Sequence, residues 1–249
     1  MDDRHISLSF ILNKHTFEKK IKKICIFTSS RSLQDVISYS LFDKTLPVRS
    51  NGGLFGFWGN NQVLVVLVAK GKVNVAVAVS EVLHEVKPDA VVVAGTAASL
   101  SGGLLPGSII AGSHFCYYDV CYGNGTEFGR YPAEPTYYYS NDDIVSRMIE
   151  AGVVVHQGLV LSGDNVVESS SVARKVANRF KKARAIDMDS AVAAQVCYKN
   201  SVPFVSIKVI DSVPVMDEKS KSLYPQFRMT DEDLTGKLFV ALNKTMESL

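Results

Sequence analysis

Apolar residues in this chain fall into short uniform runs separated by stretches with helical spacing, as expected of strands buried on both faces of a helix-covered sheet. The run Lys23-Ile24-Cys25-Ile26-Phe27-Thr28 passes into Ser29-Ser30-Arg31-Ser32, which predicts a buried strand followed by a helix-capping loop. Residues 54–58 and 63–69 are rich in β-forming side chains and are separated by Gly59-Asn60-Asn61, the composition of a hairpin turn. Residues 72–86 carry Val75, Val79, Val82, Leu83 and Val86 on one helical face before Pro88 stops the segment. Residues 90–94 are uniformly apolar and predict a strand that ends in a loop, Gly95-Thr96-Ala97-Ala98. Loops at such strand ends usually carry the ligand in open α/β sheets.

Further along, residues 108–111 and 153–162 predict strands, the second leading into Gly163-Asp164-Asn165. Residues 169–182 have helical spacing behind a serine cap, residues 185–187 are short and extended, residues 189–199 are helical, and residues 204–210 form a strand. A last amphipathic helix starts near Thr230, where Thr230-Asp231-Glu232-Asp233 forms a capping box with Asp in place of the usual Glu. No linker-like break or internal repeat interrupts this alternation, so residues 23–249 read as one α/β domain behind an extension, residues 1–22. In that extension an apolar piece, residues 6–12, precedes Lys19, Lys20, Lys22 and Lys23. A secretory signal has the opposite order, with charge first, so secretion is disfavoured.

Composition narrows the partners. A 249-residue chain that is 47% hydrophobic can bury a substantial core. Its 27 Lys and Arg against 25 Asp and Glu give a net charge of +2, no basis for a nucleic-acid partner held by phosphate neutralisation, so small-molecule substrates are expected. Cys25, Cys116, Cys121 and Cys197 are scattered and read as buried thiols in a reducing compartment, which favours a cytoplasmic location. His5, His15, His84, His114 and His156 stand alone without ligand spacing, so no metal is expected. No apolar run reaches the roughly 18 residues of a membrane helix. Ala69-Lys70-Gly71-Lys72 is not a P-loop, because the upstream glycine is absent and Val73 follows the lysine.

The richest candidate chemistry lies at Asp187-Met188-Asp189, where a short strand meets an apolar helix. Acidic side chains there are stabilised by the helix N-terminus, and the segment reads equally as a helix cap and as a ligand-binding site.

Gly71-Lys72-Val73-Asn74, Lys87-Pro88-Asp89, Gly95-Thr96-Ala97-Ala98, Gly163-Asp164, Asp187-Met188-Asp189 and Pro203-Phe204-Val205 follow one another in an order that resembles the nucleoside phosphorylase/nucleosidase superfamily, most closely the 5'-methylthioadenosine/S-adenosylhomocysteine nucleosidases, over residues 23–245. The resemblance implies a single-domain, three-layer α/β/α fold around a twisted mixed sheet with partly barrel-like curvature. It also implies a homodimer that acts on purine nucleosides with no metal or organic cofactor. By that resemblance Gly95, Thr96 and Ala97 lie along ribose and base, and Met188 and Asp189 contact the sugar. Small residues let backbone approach a ligand closely, a carboxylate accepts hydrogen bonds from both hydroxyls of a ribose diol, and methionine offers a soft apolar surface. The tyrosine-rich stretch from Tyr117 to Tyr139 is implied to lie near the subunit interface.

Four positions depart from the family pattern. The family ends the strand matching residues 204–210 with Ser-Asp, whose aspartate protonates purine N7; here the order is Asp211-Ser212. A serine hydroxyl is no comparable acid at neutral pH, so the role falls to Asp211 only if a bulge or loop change redirects it, with Ser212 beside the substrate. The water-activating glutamate matches Leu33, and Asp35 or Gln34 could hold a water only if the register slips. Val166 stands where an aromatic stacks on the base, and Asp189 is one methylene shorter than the family's glutamate. Three readings follow: a nucleosidase using Asp211 as acid and Asp35 as base, a phosphorylase holding phosphate on Arg31 with Ser29 and Ser30, and a nucleoside-binding homologue that has lost the chemistry.

Overall fold

The computed structural model describes residues 22–41, 46–48, 53–123, 125–222 and 229–249; the extension expected at residues 1–22 lies outside the described residues but for Lys22. The first half of the chain forms β1 (Lys23–Thr28), α1 (Arg31–Leu41), β2 (Leu46–Val48), β3 (Gly53–Trp58), β4 (Asn61–Leu67), α2 (Lys72–Val86), β5 (Ala90–Ser99) and β6 (Ile109–Tyr117). The second half forms β7 (Tyr138–Tyr139), α3 (Asp142–Glu150), β8 (His156–Ser162), α4 (Ser170–Arg179), β9 (Ala183–Asp187), α5 (Ser190–Lys199), β10 (Phe204–Ser212), α6 (Glu218–Ser222) and α7 (Asp231–Ser248).

The ten strands form one mixed sheet in the order β10-β6-β8-β9-β5-β1-β4-β3-β2, with β7 on β6. A further β10–β5 pairing closes β5, β10, β6, β8 and β9 into a ring, giving the barrel-like curvature that the resemblance implied. Strands β4, β1, β5 and β10 run parallel, so their C-terminal ends open at one edge. Strand β1 shows why both faces are covered. Cys25 and Phe27 pack with α2 and α5, while Ile24 and Ile26 pack with α1, α3 and α7. A strand apolar on alternate sides would leave one greasy face in water unless helices shielded both.

Several expected elements end elsewhere. The run at residues 90–94 does not stop before Gly95: β5 continues to Ser99, because Gly95 to Ala98 pair with β10 and Ala98 and Ser99 pair with β9. The expected helix over residues 169–182 ends at Arg179, where the Lys181-Lys182 turn leads into β9. The capping box of α7 forms as read: Thr230 Oγ1 accepts from the Asp233 N–H at 3.1 Å, and Asp233 Oδ2 accepts from the Thr230 N–H at 3.1 Å. Cys25, Cys116 and Cys197 are buried, and burial pushes each thiol up to about 12; Cys121, expected to be buried, is exposed.

Candidate active site

The C-terminal ends of the parallel strands surround a cavity of about 470 Å³. Ser29 follows β1, Lys70 follows β4, Thr96, Ala97 and Ala98 come from β5, and Asp211 and Ser212 end β10. The opposite wall holds Asn165, Val166, Val167 and Glu168 after β8, Ile186 and Asp187 from β9, and Met188 and Asp189 at the start of α5.

The two carboxylates of Asp187-Met188-Asp189 have different tasks. Asp187 caps α5: its Oδ1 accepts from the backbone N–H groups of Asp189 at 3.3 Å and Ser190 at 3.2 Å, and from Ser162 Oγ at 2.5 Å. Ser190 Oγ donates to its other oxygen, and Ser162 Oγ accepts from the Ala191 N–H at 2.8 Å. With those orphan donors satisfied, Asp189 makes no cap and is free to face the cavity. Its Oδ1 lies 2.6 Å from Lys208 Nζ, and Asp187 Oδ2 lies 3.5 Å from the same nitrogen. The Lys208 side chain is 1% exposed. Burial pushes the Asp189 carboxyl up to about 6, opposed by the charge of Lys208 and reinforced by that of Asp187. For Lys208, burial disfavours the charge, but Asp189 and Asp187 more than offset it and hold the ammonium above the ordinary lysine range.

Gly95 is buried inside β5 directly opposite Lys208, and a Cβ there would stand 3.4 Å from Nζ. Its small size makes room for the lysine head. Gly95 therefore sits behind the site and is not part of the cavity lining, whereas Thr96 and Ala97 are.

The reversed Asp211-Ser212 pair lies at a β-bulge. Ile210 pairs with Ala97 and Ser212 with Ala98, so Asp211 is an extra residue between two consecutive partners. Both Asp211 and Ser212 border the cavity, and Ser212 Oγ donates to Asp211 Oδ1 at 2.7 Å.

On α1, Leu33, Gln34 and Ile37 are buried and turn Asp35 to the outer, exposed face. Asp35 is not among the cavity residues, so the expectation that it serves as base is not met. Arg31 is exposed and donates to Gln34 Oε1 at 2.8 Å; it too lies outside the lining, although Ser29 is within it. Val166 borders the cavity. Sequence reasoning passed over Lys208, although a lone lysine within the apolar run of residues 204–210 is itself a signal, because a buried cation needs a buried anion. Lys70, Asn165, Glu168 and Lys221 were also passed over.

This ring of strands with its cavity at the parallel-strand ends has clear relatives. The family model described as the phosphorylase superfamily matches residues 23–242, and the chain belongs to that family. Among individual proteins, the chain is 30% identical over 198 residues to a 5'-methylthioadenosine/S-adenosylhomocysteine nucleosidase from an Exiguobacterium species, covering 77% of this chain and 84% of the relative. It is 29% identical to the nucleosidase of that name from Haemophilus ducreyi, covering 69% and 75% of the two chains. The same fold occurs in the Neisseria meningitidis nucleosidase in complex with methylthio-immucillin-A, at a TM-score of 0.82 and 24% identity over 92% of this chain and 100% of that one. It also occurs in futalosine hydrolase of Helicobacter pylori, at a TM-score of 0.81 and 21% identity over 92% and 99% of the two chains.

Proposed function

We propose that this protein hydrolyses the N-glycosidic bond of purine nucleosides of the 5'-methylthioadenosine/S-adenosylhomocysteine type. The observation that carries this reading is the joint presence, on one cavity, of Asp189 backed by buried Lys208 and of Asp211 delivered by the β10 bulge. Asp189 accepts the ribose hydroxyls above the Met188 surface and, as an anion, stabilises positive charge developing on the sugar. Asp211, oriented by Ser212, protonates the purine as the bond breaks. No carboxylate of α1 borders the cavity, so leaving-group protonation carries more of the barrier than water activation does.

The reading includes a homodimer in the cytoplasm, serving methionine salvage. Support for the dimer comes from α2, where Val73 and Val77 are 74% and 51% exposed. A groove of about 450 Å³ borders this helix, lined by Val73, Tyr117, Tyr122, Tyr131, Val192 and Val196, and tyrosines are enriched at such interfaces. Among the described residues all four cysteines are free, as suits a reducing compartment, and no helix is long and apolar enough to cross a membrane.

The test is to incubate purified protein with methylthioadenosine, S-adenosylhomocysteine, adenosine and inosine, with and without phosphate, and to quantify free base by chromatography. Release without phosphate is expected. Release only with phosphate would replace hydrolysis by phosphorolysis, and no release from any nucleoside would overturn the enzymatic reading.

A further inference from the structure

The cavity wall formed by Asn165, Val166, Val167 and Glu168 is held from behind by an ion network outside the cavity. At its centre is Lys72, the first residue of α2. Its Nζ lies 3.0 and 2.9 Å from the two carboxylate oxygens of Asp119 and 3.7 Å from Asp164 Oδ2. The Lys72 backbone N–H donates to Asp164 Oδ1 at 2.7 Å, and the Asp164 N–H donates to Asp119 Oδ2 at 2.9 Å. The Tyr118 hydroxyl donates to the carbonyl of Asn165. A Cβ on Gly163 would collide with the Tyr118 ring and the Asp119 carboxylate, so the loop after β8 is seated directly on the loop after β6. Three chain segments thus meet at one ammonium group: the start of α2, the loop after β6 and the loop after β8.

We propose that Lys72 is a positioning residue that sets the purine-facing wall of the cavity. This rests on the N-glycosidase reading above and adds to it a determinant of substrate affinity. Lys72 does not line the cavity and acts through Asp164, one residue before Asn165. One cation neutralises two carboxylates from different loops, and its backbone N–H holds one of them as well. Without the ammonium, Asp119 and Asp164 become adjacent like charges joined by a single backbone hydrogen bond, and their repulsion draws the loop after β8 off its seat. Asn165 and Val166 then lose their register against the base, while Asp189 and Asp211, on other elements, keep theirs.

The experiment is steady-state kinetics on methylthioadenosine with the full chain, together with calorimetric binding of adenine and light-scattering mass, for wild type, Lys72→Met, Lys72→Arg and Asp164→Asn. The expected result for Lys72→Met is a KM raised about tenfold with kcat within about threefold, and an adenine affinity weakened in parallel. Lys72→Arg restores both to within about threefold, since a guanidinium also spans two carboxylates. If Lys72→Met does not fold, Lys72→Gln takes its place with the same expected rise in KM. Asp164→Asn, which removes the repulsion along with one charge, is expected to leave KM within about threefold; a rise of about tenfold in that variant would overturn the repulsion account. A lower melting temperature with unchanged KM and adenine affinity would overturn the proposal, as would equal losses in kcat and kcat/KM. Because Lys72 also borders the groove of the proposed dimer, a KM rise seen only in variants that become monomeric would assign the effect to that interface and overturn it too. Wild-type protein that cleaves no nucleoside refutes the N-glycosidase reading by itself, and the adenine titrations still decide the role of Lys72.

Discussion

Lys208→Met removes the buried cation that faces both carboxylates of the Asp187-Met188-Asp189 turn. The lysine is buried, with Nζ 2.6 Å from Asp189 and 3.5 Å from Asp187, and methionine fills much of its volume without charge. Asp187 keeps its hydrogen bonds from Ser162, Ser190 and two backbone amides, so the main loss falls on Asp189. Breaking a buried pair by removing one partner costs about 3–5 kcal/mol. Asp189 can escape part of that cost by taking up a proton, which places the expectation near the low end, about 3 kcal/mol at neutral pH. At roughly 2–4 °C per kcal/mol for a chain of this size, the melting temperature falls by about 6–12 °C. The pH dependence separates this account from a simple packing defect. Because the Asp189 carboxyl sits at about 6, at about pH 5 it is largely protonated in the wild type and the pair is already weakened, so the deficit shrinks on acidification. Differential scanning calorimetry of both proteins at about pH 7.5 and about pH 5 reads the difference directly. A fall under about 2 °C at the higher pH, or one that persists unchanged at the lower pH, would refute the reasoning.

In the proposed function the ribose contact requires ionised Asp189, so kcat/KM should rise as pH passes through about 6, and Asp189→Asn should abolish that limb. Stability runs the other way: the folded carboxyl is raised from 3.8, so its contribution is full below that value and is lost as pH rises through about 6, which calorimetric melts across this window will register. Asp211→Asn is expected to lower kcat by about 100-fold or more and Ser212→Ala by under about tenfold; equal effects would remove Asp211 from the role of acid. Asp35→Ala and Arg31→Ala, outside the cavity, should leave kcat/KM within about twofold of wild type in the same base-release assay. Val77→Glu places a charge on the exposed apolar face of α2 and should shift the particle to monomer mass by light scattering; an unchanged dimer would move the interface elsewhere.

Much of the scaffold was legible because each face of its strands is apolar. The α2 helix and β1 begin and end where the apolar spacing, Pro88 and the serine-rich loop place them. The continuation of β5 past Gly95 was not legible, because Gly95-Thr96-Ala97-Ala98 has the composition of a loop and is extended only through pairing with β10 and β9. The α3 helix was overlooked despite an Asn141 cap that accepts from the Ile144 N–H and buried Ile144, Val145 and Met148 at helical spacing. At the site, Met188, Asp189, Thr96, Ala97, Val166, Asp211 and Ser212, all named from the sequence, border one cavity. Asp35 failed for a reason of helical phase: Leu33 and Ile37 both point into the core, which fixes the residue between them outward. The division of labour between Asp187 and Asp189 needed Ser162 and Lys208, which lie on other strands, and no local pattern reports such partners.

The bulge in β10 makes the cavity indifferent to the order of two neighbouring residues. In a regular strand, exchanging Asp and Ser would send the carboxylate through the sheet to its far side; here both positions open onto the same space. Exchanging the two residues would therefore still leave a carboxylate at the cavity wall. The identity of either residue thus matters less to the wall of this cavity than the bulge that places both of them there.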